Sequence, residues 1–268
     1  MTFRLLFVGD VVGPSGCAAA LDLVPKLREK LALDAVVANA ENSAPSGRGI
    51  SAESGAALLK VADFLTLGNH AFDAKGHEGF LKSEGRVIRP ANFDGNNPGR
   101  GWGAFEAGGV RVGVVNVLGK VFIDRTKTSA FEAADTALAD LEYRADLILV
   151  DAHAEATSEK QALGHHLAGR AQAVLGTHTH VPTADASILP GGTAYASDVG
   201  MTGCSQSVIG FDRLGFLGLF VGNGWERQRG IQVETQGPVA LNGALVEFDL
   251  DARKAVGIQR VQREWDPD

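Results

Sequence analysis

Residues 3–8, 35–40, 64–67, 111–117, 147–150 and 171–175 form short, largely apolar runs separated by stretches of helical periodicity. That pattern constrains the fold more than any other feature. A strand whose successive side chains are nearly all apolar must be covered on both faces, which requires helices or a second sheet against it. The intervening segments supply them. Residues 15–31, 51–61, 73–84 and 129–143 read as helices, and Ser158 with Gln161 gives a capping-box start to another that runs to about residue 167. Pro25 falls inside the stripe of Leu21, Val24, Leu27 and Leu31, where it is expected to kink or split the first helix. Beyond about residue 184 the chain turns to strands and turns, at 184–189, 193–196, 240–249 and 254–262. No linker-like stretch interrupts this order. The expectation is an α/β chain folded as a single domain over residues 1–268.

Where these runs end, residues with metal-binding chemistry follow. They are Asp10, Glu41-Asn42, Asn69-His70, His153 and the pair His178 and His180 in Gly176-Thr177-His178-Thr179-His180. Open α/β sheets bind ligands at the carboxyl ends of their strands, so these groups should converge on one edge. Each has an ordinary alternative, since Asp and Asn form turns and caps after strands and a lone His is commonly structural. Five such placements together favour a metal site. In extended backbone, His178 and His180 would point the same way about 7 Å apart. That spacing lets them serve two ions about 4 Å apart.

The donor set mixes carboxylate, amide and imidazole and contains no thiolate. It suits Fe, Mn, Zn or Co and disfavours calcium or a structural zinc. Glu41 can bridge two ions. His70 follows a candidate ligand directly, so its side chain should point elsewhere and act as a proton donor. Arg48, in the loop Ser46-Gly47-Arg48-Gly49, is a candidate substrate contact. His77, His165 and His166 read as surface or packing residues, and Cys204 as a small packed one.

The 268 residues carry a net charge of −7, with 45% hydrophobic and 21% charged residues. The acidic balance argues against nonspecific nucleic-acid binding, which needs a basic surface. Two cysteines, with no CxxC, give no disulfide framework and point to a reducing cytoplasm. No apolar stretch approaches the length of a membrane span, and the N-terminus has no leader pattern. Gly9, Gly13 and Gly16 after the first run raise a dinucleotide-binding oxidoreductase. However, their spacing is not G-x-G-x-x-G, and Asp10 would repel a pyrophosphate.

The motifs resemble those of the calcineurin-like metallophosphoesterases. Gly68-Asn69-His70 matches that family's G-N-H motif, and His153 its separate His. Gly176-Thr177-His178-Thr179-His180 matches G-H-x-H with one inserted residue. Two departures are informative. Val12 stands where the first motif has a His, and Glu41 stands where the bridging Asp usually is. Together with Asp151-Ala152-His153-Ala154-Glu155 and Asp198-Val199-Gly200-Met201-Thr202-Gly203, they resemble the YmdB-like branch.

The resemblance implies a four-layer α/β/β/α sandwich and a dinuclear centre, with iron or manganese favoured and Zn, Mg and Co open. One ion would be held by Asp10, Glu41, Asn42 and His180, and the other by Glu41, Asn69, His153 and His178. Glu41 would bridge, and His70 would donate a proton. The implied activity is phosphodiester hydrolysis of small phosphate esters, above all cyclic nucleotides of the 2′,3′ type, by an activated water. A homo-oligomer stays open. The substituted first motif leaves an alternative, a metal-bearing regulatory protein with low phosphatase activity.

Overall fold

The computed structural model describes residues 1–221 and 231–266. Its strands fall into two sheets. The first is built on β1 (Thr2–Val8), which pairs in parallel with β3 (Ala35–Asn39), itself parallel to β4 (Phe64–Thr66). On its other side β1 runs antiparallel to β12 (Val239–Asp249). The same edge of β12 continues onto β11 (Met201–Cys204), which pairs with the two-residue β2 (Asp10–Val11). The far edge of β12 carries β13 (Lys254–Trp265).

The second sheet has β5 (Trp102–Ala107), β6 (Val110–Leu118), β7 (Leu147–His153) and β8 (Ala173–Thr177) in that order, followed by β10 (Thr193–Ala196) and β9 (Ser187–Leu189). Its strands from β6 through β7 and β8 to β10 are parallel.

Period-2 alternation explains the layering. Leu5 and Phe7 of β1 point inward and meet Val112, Val114, Leu149 and Leu175 of the second sheet. Leu6 and Val8 point the other way, against Val24 and Leu27 of α1 (Gly13–Lys30) and Leu58 of α2 (Ala52–Leu58). The outer face of the second sheet, through Val115, Val150 and Val174, is covered by α4 (Ala130–Leu141) and α5 (Thr157–Leu167). The result is helix, sheet, sheet, helix, the four-layer sandwich expected.

Several local expectations change. α1 runs unbroken through Pro25. Pro25 is on the solvent side, where water can satisfy the carbonyl that the missing N–H leaves free. Ser158 does not cap α5. That helix starts after Ala156 with no side-chain cap, and Glu159 instead accepts hydrogen bonds from the backbone N–H groups of Lys120 and Val121 at 2.8 and 3.1 Å. The helix expected at 73–84 shortens to α3 (His77–Ser83), because residues 70–73 form a turn closed by Asp73 N–H on the His70 carbonyl. Three elements without a clear signal in the sequence are β5, β11 and the apolar α6 (Arg213–Phe220).

The glycines of the first turn are packing residues. A Cβ at Gly16 would stand 2.3 Å from the Thr202 carbonyl oxygen, and one at Gly9 1.8 Å from that of Gly200. They let α1 and β1 close against β11, and no dinucleotide cradle is needed to explain them.

Candidate metal centre

Parallel strands from both sheets end at one edge, and the expected residues meet there. Asp10 opens β2 after β1. Glu41 and Asn42 follow β3, and Asn69 and His70 follow β4. His153 is the last residue of β7, and His178 follows β8. Asp10, Glu41 and His153 have 0–1% of their surface exposed.

Around His153 the contacts are tight. Its Nε2 lies 3.0 Å from Glu41 Oε1, 3.0 Å from Asn69 Oδ1 and 3.1 Å from His178 Nδ1. One donor atom each from Glu41, His153 and His178 fall within 4.8 Å of one another, as a metal ion requires. A second group adjoins it. His180 Nε2 is 3.1 Å from Asn42 Nδ2 and 3.9 Å from Asp10 Oδ1. Glu41 touches both groups, since Asn42 Nδ2 donates to its Oε1 at 3.4 Å.

The His178–His180 pair is not held as expected. Both residues have positive φ, 98° and 66°, so the chain turns sharply where extended backbone was assumed. Such conformations cost about 1–3 kcal/mol each in non-glycine residues and need support from their surroundings. Here the support is local. His178 N–H donates to Asp10 Oδ2 at 3.1 Å. Thr179 donates its N–H and its hydroxyl to Asp198 Oδ2, at 3.0 and 2.8 Å. His180 Nδ1–H donates to the Ile209 carbonyl at 2.7 Å. Asp198 is in turn anchored by the fully buried Lys160, whose Nζ lies 2.8 Å from the same oxygen.

The donor set suits cations. Asp10 Oδ1 is buried with no hydrogen-bond partner among the described residues, the arrangement of an oxygen waiting for one. Gly68 keeps space open, because a Cβ there would sit 2.3 Å from both Glu41 Oε2 and His153 Nε2. The same groups also shift one another's protonation. Burial pushes Asp10 above the usual carboxylate range. Burial would also raise Glu41, but the charge and hydrogen bond of His153 outweigh it and hold Glu41 at about 2. Burial would lower His153, yet Glu41, Asp10 and Asp151 carry it to about 9. His178 falls to about 3, through burial and then the charge of His153. Behind them Asp151 is raised to about 6 by burial.

His70 stands outside this set, as expected. Its backbone N–H donates to Glu41 Oε2 at 3.0 Å, while its ring turns away and Nδ1 meets Asp73 Oδ2 at 2.6 Å. Burial opposes ionisation of Asp73, but His70 and Arg125 together keep its carboxyl below the usual range. Arg125 reaches Asp73 Oδ1 at 3.1 Å and the Asn69 carbonyl at 2.8 Å. Asp73, Arg125 and Lys160 were not legible as site residues. Only the i, i+3 spacing of His70 and Asp73 carried a signal.

Val12 does not leave a hole where the family His would be. It is buried and packed in the space above Gly203 and Gly210. His77 donates to the Ala74 carbonyl and rests on Phe72, His166 pairs with Asp135, His165 is exposed, and Cys204 is buried.

Glu41, Asn42, His70, His178 and His180 floor an open cleft of about 120 Å³. Exposed Arg48 stands at its side, and Ile209, Phe211, Phe216 and Ile231 form an apolar wall. A larger groove elsewhere holds Arg170 and Arg253, but both guanidinium groups are committed, to Asp135 and to the Ala145 and Asp146 carbonyls.

Comparison with known proteins agrees with this geometry. The family model described as YmdB-like protein matches residues 6–261. A Bacillus subtilis (strain 168) protein named 2′,3′-cyclic-nucleotide 2′-phosphodiesterase is 40% identical over 259 residues, covering 96% of each chain. A solved phosphatase from Mycoplasma pneumoniae superposes with a TM-score of 0.90 at 31% identity, over 99% of this chain and 95% of that one. A solved hypothetical protein from Thermus thermophilus gives 0.88 at 40% identity, over 99% and 100%.

Proposed function

Because the chain belongs to the YmdB-like protein family, we propose that it is a metal-dependent phosphodiesterase that hydrolyses 2′,3′-cyclic nucleotides at this cleft. The observation that carries the reading is the meeting of seven oxygen and nitrogen donor residues where strands of both sheets end, beside a histidine whose ring belongs to none of the donor contacts. Asp10, Glu41, Asn42 and His180 would hold one ion. Glu41, Asn69, His153 and His178 would hold another, with Glu41 shared. Iron or manganese suits this thiolate-free set. Ions bound there would supply positive charge to the phosphoryl oxygens and bring the pKa of water toward about 7.

The chain's own residues do the rest. Asp73 accepts the Nδ1 proton of His70, which leaves Nε2 to carry a proton to the departing ribose oxygen. Arg48, which lines the cleft and has no ion pair among the described residues, would meet a phosphate oxygen there. Phe211 and Phe216, with ring centroids 6.3 Å apart, offer an apolar face to a nucleobase. The free thiols of Cys17 and Cys204 suit a reducing cytoplasm.

A panel of 2′,3′- and 3′,5′-cyclic nucleotides assayed with Mn²⁺ and with Fe²⁺ tests the reading. Turnover of the 2′,3′ esters is expected. No turnover of any ester by protein with both ions bound would hand the site to the regulatory alternative. His70→Ala should lose about 10²–10⁴ in kcat and keep its metal. Stoichiometric metal loss in that variant would remove His70 from the proton-donor role.

A further inference from the structure

We propose that Thr177 is a positioning residue that fixes the ring tautomer of His153, so that Nε2 presents a lone pair to the metal site. The inference rests on the reading of His153 as a metal ligand. Thr177 ends β8 and is fully buried, and in the parallel pairing of β7 with β8 it lies directly beside His153. Its hydroxyl Oγ1 is 2.8 Å from His153 Nδ1 and 2.7 Å from Asp151 Oδ1.

Proton counting gives the direction of each bond. A hydroxyl has one proton to donate and two lone pairs. Asp151 is ringed by donors, because its other oxygen takes the Thr66 hydroxyl at 2.5 Å and Asn39 Nδ2 at 2.9 Å. A carboxylate so surrounded acts as acceptor, and the Thr177 proton is committed to it. Thr177 can then only accept from His153, so Nδ1 must carry the ring hydrogen. The remaining neighbour of Nδ1 within hydrogen-bond distance, Asn39 Nδ2 at 3.5 Å, is a donor and offers no other acceptor.

The opposite nitrogen faces Glu41 Oε1, Asn69 Oδ1 and His178 Nδ1, all at 3.0–3.1 Å. Among these acceptors Nε2 is satisfied either by a proton or by a cation in that proton's place, and with Nδ1 already protonated a cation there takes the Nε2 lone pair. Metal-bound histidines characteristically give their other ring N–H to a carboxylate or another acceptor. In this chain the carboxylate acts through the threonine hydroxyl. Threonine is stiff at χ1, so the backbone of β8 fixes where that hydroxyl points. The residue between Gly176 and His178, an insertion by the G-H-x-H pattern, therefore has a task of its own.

The test compares wild type with Thr177→Val, which keeps the shape and loses the hydroxyl, and Thr177→Ser, which keeps the hydroxyl. Zn²⁺ affinity is measured by chelator competition, and ring ¹⁵N shifts are read on the zinc-loaded protein. Thr177→Val should weaken Zn²⁺ binding about 10- to 100-fold, with Thr177→Ser close to wild type. The wild-type spectrum should place the His153 proton on Nδ1. Wild-type affinity in the valine variant, or a proton on Nε2, would overturn the proposal. Should the valine variant fail to fold, the wild-type spectrum alone still decides. Thr177-dependent zinc affinity without hydrolysis of any ester would sink the phosphodiesterase reading and leave this one standing. Normal hydrolysis with an indifferent valine variant would do the reverse.

Discussion

At the scale of single residues, the site is defined by which partner each side chain faces away from the centre. His70 depends on Asp73 for its orientation, at 2.6 Å. Asp73→Asn should therefore lower kcat by less than His70→Ala does, with metal content unchanged in an elemental assay; loss of metal would show that Asp73 supports the ligands instead. The cysteines give a second prediction. Burial pushes the Cys17 thiol up to about 12 and raises Cys204 as well. Reactivity requires the thiolate, so iodoacetamide at about pH 8 should spare Cys17 in the folded protein and label it after unfolding. Rapid labelling of native protein at Cys17 would contradict the burial. Residue chemistry was the most legible level in the sequence. Seven candidate donors and the neighbouring His70 could be named from their positions after apolar runs. Asp73, Thr177 and Asp151 could not be given roles in the same way, because their partners are fixed by contacts rather than by spacing.

At the scale of elements, the turn after β8 is a strained part of the site and α5 is its brace. Lys160 sits in α5 and Asp198 after β10, and their buried ion pair holds Thr179 between the two histidines. Removing one partner of a buried pair leaves an unpaired charge and costs about 3–5 kcal/mol. Lys160→Met should show that loss in urea unfolding and should also lower metal affinity through the 177–180 turn. Unchanged affinity would mean that Asp10 and Ile209 hold the turn without it. The sequence suggested a helix here and erred at its start. A capping box is a local signal, and here the helix begins two residues earlier, after Ala156, with Glu159 turned to the backbone of residues 120 and 121. β7 and β8 also run to His153 and Thr177, two or three residues past their apolar runs. Polar residues remain in strand there because the neighbouring strands satisfy them.

At the scale of the whole molecule, two sheets share one inner core, so an inner side chain serves both. Phe64 is fully buried there and stacks on Phe105 at 5.5 Å. Phe64→Ala should cost about 3–5 kcal/mol in stability, read from the urea midpoint. Acid should act through carboxylates held below their usual range. Asp185, hydrogen-bonded by Ser197 and Thr183, and Asp146, paired with Arg111, are two of them. A lowered folded pKa contributes stability above the unfolded value of about 3.9, lost as pH falls through the folded one. Stability of the metal-loaded protein should therefore fall below about pH 4, with Asp185→Asn flattening that limb; an unchanged limb would assign the acid loss elsewhere.

The sequence by itself determined the α/β order and the candidate donor residues. Period-2 and period-3.6 patterns are local, and a strand end is where the chain leaves the sheet and can present a ligand. It pointed to the strand ends that meet but could not determine how their side chains are held. Asn39 and Asp151 touch across 112 positions, and His153 and Asn69 across 84. Sheet order and packing decide those meetings. They also turned His178 and His180 into left-handed backbone, buried Val12 against Gly203 and Gly210 and set the Thr177 hydroxyl between Asp151 and His153. Those outcomes depend on the free energy of the whole packed core, which no stretch of neighbouring residues contains.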